Sequence, residues 1–89
     1  MNKSRRYIKA FGDTTCPKCK KMRPILDELY AEGFLIEFYP VDGNEQLFFD
    51  EEIEGYPTLK FYDSSGRPYH KIVGVTTKER IIEIYKRVI

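Results

Sequence analysis

The chain has 89 residues, a formal net charge of +1 and only two cysteines, a size that suits one modest domain spanning 1–89. It contains no apolar run of about 18 residues or more, and its basic first ten residues lead into no secretory apolar stretch. The expectation is therefore a cytoplasmic protein with no membrane partner. Charge is segregated: residues 1–24 carry eight Lys or Arg against one acid, and residues 25–54 carry ten acids and no Lys or Arg. The basic residues crowd the cysteines instead of forming a stripe with interleaved aromatics, which argues against a nucleic-acid partner.

Residues 4–11 read as a strand ending at Gly12, and Asp13-Thr14-Thr15 as a loop. A helix is expected over Pro17–Ala31, because Met22, Ile25, Leu26, Leu29 and Tyr30 recur three and four apart on one face. Gly33 suits the position just past its end, and Pro24 should bend it near Lys20. Residues 34–39 form a second strand, closed by Pro40 to Gly43. Asn44 is placed to cap a short helix reaching Glu51 or Glu52, with Leu47 and Phe48 inward. Glu54-Gly55-Tyr56 turns into Pro57. Thr58–Tyr62 and Pro68–Val73 are then two strands of an antiparallel hairpin. Gly74 breaks the run, and Thr77 caps a last helix whose inward face is Ile81, Ile82, Ile84, Tyr85 and Val88. The order β-α-β-α-β-β-α predicts an α/β fold: a four-stranded mixed sheet with helices on both faces, begun by a parallel, right-handed βαβ unit.

Cys16-Pro17-Lys18-Cys19 stands where the first strand hands over to the first helix. Cys16 falls at the N-cap, where its sulfur can accept from the unpaired N–H groups of Lys18 and Cys19. Pro17 suits the first helical position, and the positive helix end favours a thiolate. Lys18, Lys20, Lys21 and Arg23 add positive field, which is unfavourable for the helix dipole and favourable for anion chemistry. A thiolate followed by a second thiol one turn on is the chemistry of disulfide exchange: Cys16 attacks and Cys19 resolves. Two other readings compete. A structural zinc would need four ligands, but there is no second cysteine pair, and the only histidine, His70, sits mid-strand. A non-catalytic binding module would use the basic residues to dock an acidic partner.

With these residues in hand, the chain resembles the thioredoxin/glutaredoxin family over nearly its whole length. The matching features are Cys16-Pro17-Lys18-Cys19 after a strand, Pro24 five residues further, Val41-Asp42, Tyr56-Pro57-Thr58-Leu59, Phe61 with Gly66, and Gly74 before the last helix. The resemblance implies a thioredoxin-like fold and a protein-disulfide reductase that needs no bound cofactor. It implies a cis Pro57 beside the dithiol, with Tyr56 backbone, Thr15, Pro17, Lys18 and Gly74 supporting the substrate. Disulfide-containing proteins are the implied substrates, a thioredoxin-reductase-like enzyme or glutathione the reductant, and a monomer the working unit. The chain departs from both branches. Thr15 stands where thioredoxins carry Trp, and their buried Asp and its Lys partner would fall at Ala10 and near Phe38. The Gly-Gly-acid pattern that holds glutathione in glutaredoxins is half absent around Gly74. A glutathione-dependent glutaredoxin is the alternative reading.

Overall fold

Residue alternation along the strands decides how the chain layers. In the computed structural model, which describes residues 5–87, the order is β1 (Tyr7–Gly12), α1 (Pro17–Ala31), β2 (Ile36–Pro40), α2 (Glu45–Asp50), β3 (Thr58–Tyr62), β4 (Pro68–Val73) and α3 (Lys78–Tyr85). The four strands form one sheet in the order β2-β1-β3-β4. β1 pairs parallel with β2 and antiparallel with β3, and β3 pairs antiparallel with β4. The predicted α/β architecture and element order hold.

Successive side chains of a strand point to opposite faces, so β1 sends Ile8 and Ala10 one way and Tyr7, Lys9 and Phe11 the other. The first set meets Leu59 and Phe61 of β3 and Ile36 of β2. Met22, Leu26 and Leu29 of α1 and Ile81 and Ile84 of α3 close this face into the main core. On the opposite face α2 inserts Phe48, edge-on to Phe11 with ring centroids 5.2 Å apart. Helices therefore cover both faces, α1 and α3 on one and α2 on the other.

Local signals set most boundaries. α1 ends in a Schellman motif: the Phe34 N–H reaches the Leu29 carbonyl at 3.0 Å and the Gly33 N–H reaches Tyr30 at 3.1 Å. Gly33 takes the left-handed conformation, φ +102°, that this motif requires. Thr77 caps α3 by accepting from the Arg80 N–H at 3.1 Å. Phe34 is spent on that helix ending, so β2 starts at Ile36 and not at residue 34, although the Leu35 carbonyl already accepts from the Ile8 N–H at 2.9 Å. β1 starts at Tyr7, and the predicted start at Ser4 lies outside the described residues, as does Val88 of the last helix face. α1 runs through Pro24 as one continuous helix. Asn44 is the N-cap of α2 by position but makes no side-chain cap bond; its Nδ2 donates to the Pro40 carbonyl at 2.7 Å instead. Holding the end of β2 competes for the same side chain, and that bond across the turn prevails.

Candidate active site

The dithiol sits at the carboxyl end of β1, where Gly12 and Asp13 turn the chain into α1. Asp13 builds the turn: its Oδ1 accepts from the Thr15 N–H at 3.1 Å and the Thr15 hydroxyl at 3.0 Å, and its carbonyl accepts from the Cys16 N–H at 3.1 Å. Cys16 then enters as N-cap with extended backbone, φ −80° and ψ 123°, and Pro17 takes the first helical position. The Cys19 N–H donates to Cys16 Sγ at 3.4 Å. Thr15, Pro17 and Lys18 are exposed around the sulfur.

These contacts split the two thiols. Cys16 is held below the ordinary thiol value, first by the hydrogen bond from the Cys19 side chain, then by the Cys19 and Lys18 N–H groups; slight burial and the Asp13 charge oppose this. Burial pushes the Cys19 thiol up. The Asp13 N–H, 3.5 Å from its sulfur, pulls the other way, and the Cys16 sulfur adds to the rise. The two shifts run in opposite directions, so Cys16 gives up its proton more readily than Cys19.

The strand before the dithiol matters as much as the helix after it. A Cβ on Gly12 would lie 2.9 Å from Cys19 Sγ, so glycine lets that sulfur pack against β1. Behind Cys19 lies a cavity of about 290 Å³, lined mainly by apolar groups that include Ala10, Met22, Phe38 and Pro57. Ala10 and Phe38 are direct partners in the β1–β2 register, so the two positions that the resemblance assigns to an Asp and its Lys partner meet here as an apolar wall. Lys20 and Arg23 reach the cavity lining, and the Arg23 guanidinium lies 4.1 Å from the centroid of the Phe38 ring.

The distant residues converge on the same edge. The Tyr56–Pro57 peptide bond is cis, and Pro57 is buried in the cavity wall with Cys19. Gly74, φ +100°, donates its N–H to the Pro57 carbonyl at 2.8 Å and so ties the end of β4 to the proline loop. The Tyr56 ring packs against Phe48 with centroids 5.8 Å apart. Lys18, in contrast, does not line the cavity. Gly12 and Asp13 are the positions that sequence reasoning passed over, although a glycine at a strand end beside a cysteine was the available signal. His70 is half-buried, edge-on to Phe61, and among the described residues no cluster of three or more His, Cys, Asp or Glu side chains could hold a metal ion.

Comparison with known proteins bears on the family and the fold. The family model for thioredoxin matches residues 1–87. A thioredoxin of Staphylococcus aureus is 36% identical over 77 residues, covering 83% of this chain and 73% of that protein. The structure of reduced Schistosoma mansoni thioredoxin superposes with a TM-score of 0.84 at 21% identity, covering 94% of this chain and 79% of that one. Fasciola hepatica thioredoxin gives 0.84 at 21% identity, covering 94% and 81%. The two structures speak to the fold; the family model and the bacterial relative define the class. The chain belongs to the thioredoxin family, a family of disulfide oxidoreductases.

Proposed function

We propose that residues 1–89 form a single thioredoxin-like redox domain that reduces protein disulfides through Cys16 and Cys19. The Cys16 thiolate attacks one sulfur of a substrate disulfide, forming a mixed disulfide and releasing the first substrate sulfur as a thiolate, which takes up a proton. Cys19 loses its proton and attacks the Cys16 sulfur, which releases the second substrate thiol and leaves Cys16–Cys19 oxidised. Two electrons from a thioredoxin-reductase-like enzyme, or from glutathione, restore the dithiol. The observation that carries this reading is the Cys19 N–H on Cys16 Sγ at the cap of α1, which favours the thiolate on the outer sulfur.

No acid or lysine stands at Ala10 and Phe38 to take the Cys19 proton, so the reading assigns that step to water in the cavity beside Lys20. The reading assigns the substrate surface to Tyr56, Pro57 and Gly74; Pro57 lines one cavity with Cys19, and the Gly74 N–H is bonded to its carbonyl. The protein is read as a cytoplasmic monomer; no helix among the described residues is long and apolar enough to cross a membrane.

The test is a pair of serine variants assayed with a protein disulfide. Cys16→Ser should abolish exchange, and Cys19→Ser should accumulate mixed disulfides visible by mass. Full glutathione-linked turnover by Cys19→Ser would replace this reading with a glutaredoxin that works through one thiol.

A further inference from the structure

Two oppositely charged segments meet the edge of the sheet that holds the dithiol, one in the first turns of α1 and one in the segment that carries α2. On the α1 side, Lys18, Lys20 and Lys21 are exposed, and among the described residues none of them makes a salt bridge. Elsewhere on the same helix face of the sheet, Lys78 bridges Glu28 at 3.1 Å and Glu32 at 2.6 Å, and Arg23 is held by Asp27 at 2.9 Å. The first turn of α1 contains no acid, although a helix N-terminus favours negative charge. These cations are kept against local helix energetics.

On the α2 side, residues 41–55 contain six acids and no Lys or Arg. Glu51 is engaged by Lys60 and Lys9, and the other five, Asp42, Glu45, Asp50, Glu52 and Glu54, are exposed. The segment begins at the active-site edge, where the Val41 N–H donates to the Gly12 carbonyl at 2.8 Å, and it ends by running into Tyr56 and Pro57. Here too a charge is kept at a local cost. α2 closes in a Schellman motif, with the Ile53 N–H on Phe48 at 3.0 Å and Glu52 in the left-handed position, φ +58°. Glycine is the residue that this position favours.

We infer that the dithiol accepts its protein substrates in one preferred orientation, with acidic residues of the partner facing Lys18, Lys20 and Lys21 and basic residues facing Asp42, Glu52 and Glu54. The inference rests on the disulfide-exchange reading above and adds the charge pattern of the substrate. Each exposed pair contributes little, but several pairs of two signs, carried by separate segments, discriminate a partner from its reversed copy. Complementary fields of this kind act chiefly on encounter and register, and salt screens them.

The test uses two short peptides of identical composition, each oxidised to a symmetrical disulfide through one cysteine. One carries two Glu before the cysteine and two Lys after it; the other has the order reversed. The fully reduced protein is mixed with each, and the second-order rate of peptide reduction is divided by the rate with dithiothreitol, which removes intrinsic differences in peptide reactivity. The expected result is a ratio between the peptides of about threefold to tenfold at low ionic strength, shrinking toward unity in about 0.5 M salt. The ratio should also shrink in Lys21→Glu and in Glu54→Lys. Equal corrected rates for the two peptides at low salt would overturn the inference and leave disulfide reduction standing, and a ratio indifferent to salt would overturn its electrostatic cause. Failure to reduce either peptide would remove the exchange reading itself.

Discussion

On one face of the sheet, Ile8, Ala10, Leu59 and Phe61 lie under α1 and α3 as a continuous apolar layer. On the other, Phe11 and Phe48 share the space with Lys9, Lys60, Tyr62 and Glu51. Lys9 and Lys60 are directly opposite each other in the β1–β3 register, and Lys71 follows on β4. Like charges so placed destabilise a sheet. Glu51, from the end of α2, answers them: it accepts from Lys60 Nζ at 2.7 Å and from the Tyr62 hydroxyl at 2.9 Å, with Lys9 Nζ 3.8 Å away. The first face is held by area removed from water and is indifferent to which helix residue does the covering. The second adds one carboxylate to the Phe48 contact, so the docking of α2, and with it the acidic loop leading to Pro57, rests on a charged group as well as an apolar one.

The difference can be broken from either side. Leu59→Ala empties a fully buried site and should cost about 2–5 kcal/mol in urea unfolding, equally at neutral and mildly acid pH. Glu51→Gln should cost less, about 1–3 kcal/mol at neutral pH, because it leaves two half-buried ammonium groups facing one another. That loss should depend on pH. Burial alone would raise the Glu51 carboxyl, but its bonds from Lys60 and Tyr62 and the nearby Lys9 hold it below the ordinary value. A carboxyl lowered by folding stabilises the protein above its unfolded value, near ~4.3, and that stabilisation disappears as pH falls through the folded value. The gap between wild type and Glu51→Gln should therefore close in acid, and a gap that stays constant would contradict the assignment. The smallest effect has the opposite sign. Glu52→Gly relieves a left-handed non-glycine residue and should raise stability by about 0.5–1 kcal/mol, seen as a higher Tm.

Much of the site was legible because it is built locally. The handover from strand to helix, Cys16 at the cap, Pro17 at the first position and Gly33 past the end all depend on neighbours within a few residues. The hairpin was legible for the same reason, since Asp63 organises its turn by accepting from the Ser65 and Arg67 N–H groups at 2.9 and 3.0 Å. Asn44 shows the limit. Its residue type fits a cap, yet a carbonyl four residues back offered a better bond. Gly12 shows another, because the need for a missing side chain appears only when Cys19 is packed beside it.

The order of elements, the position of a dithiol at a helix start and most of each apolar helix face were legible in the sequence; Tyr30, expected on the apolar face of α1, is exposed. Periodicity, caps and turns act over one or two turns of chain, and they suffice for that much. That burial raises the Cys19 thiol, and that Ala10 and Phe38 line one cavity with it, follows only from the closed fold. The closed fold likewise sets Glu51 against two lysines from different strands, and ties the start of the acidic segment to Gly12 through the Val41 N–H. Each of these depends on burial or on charge across strand pairings, and those distances exist only once the sheet has closed.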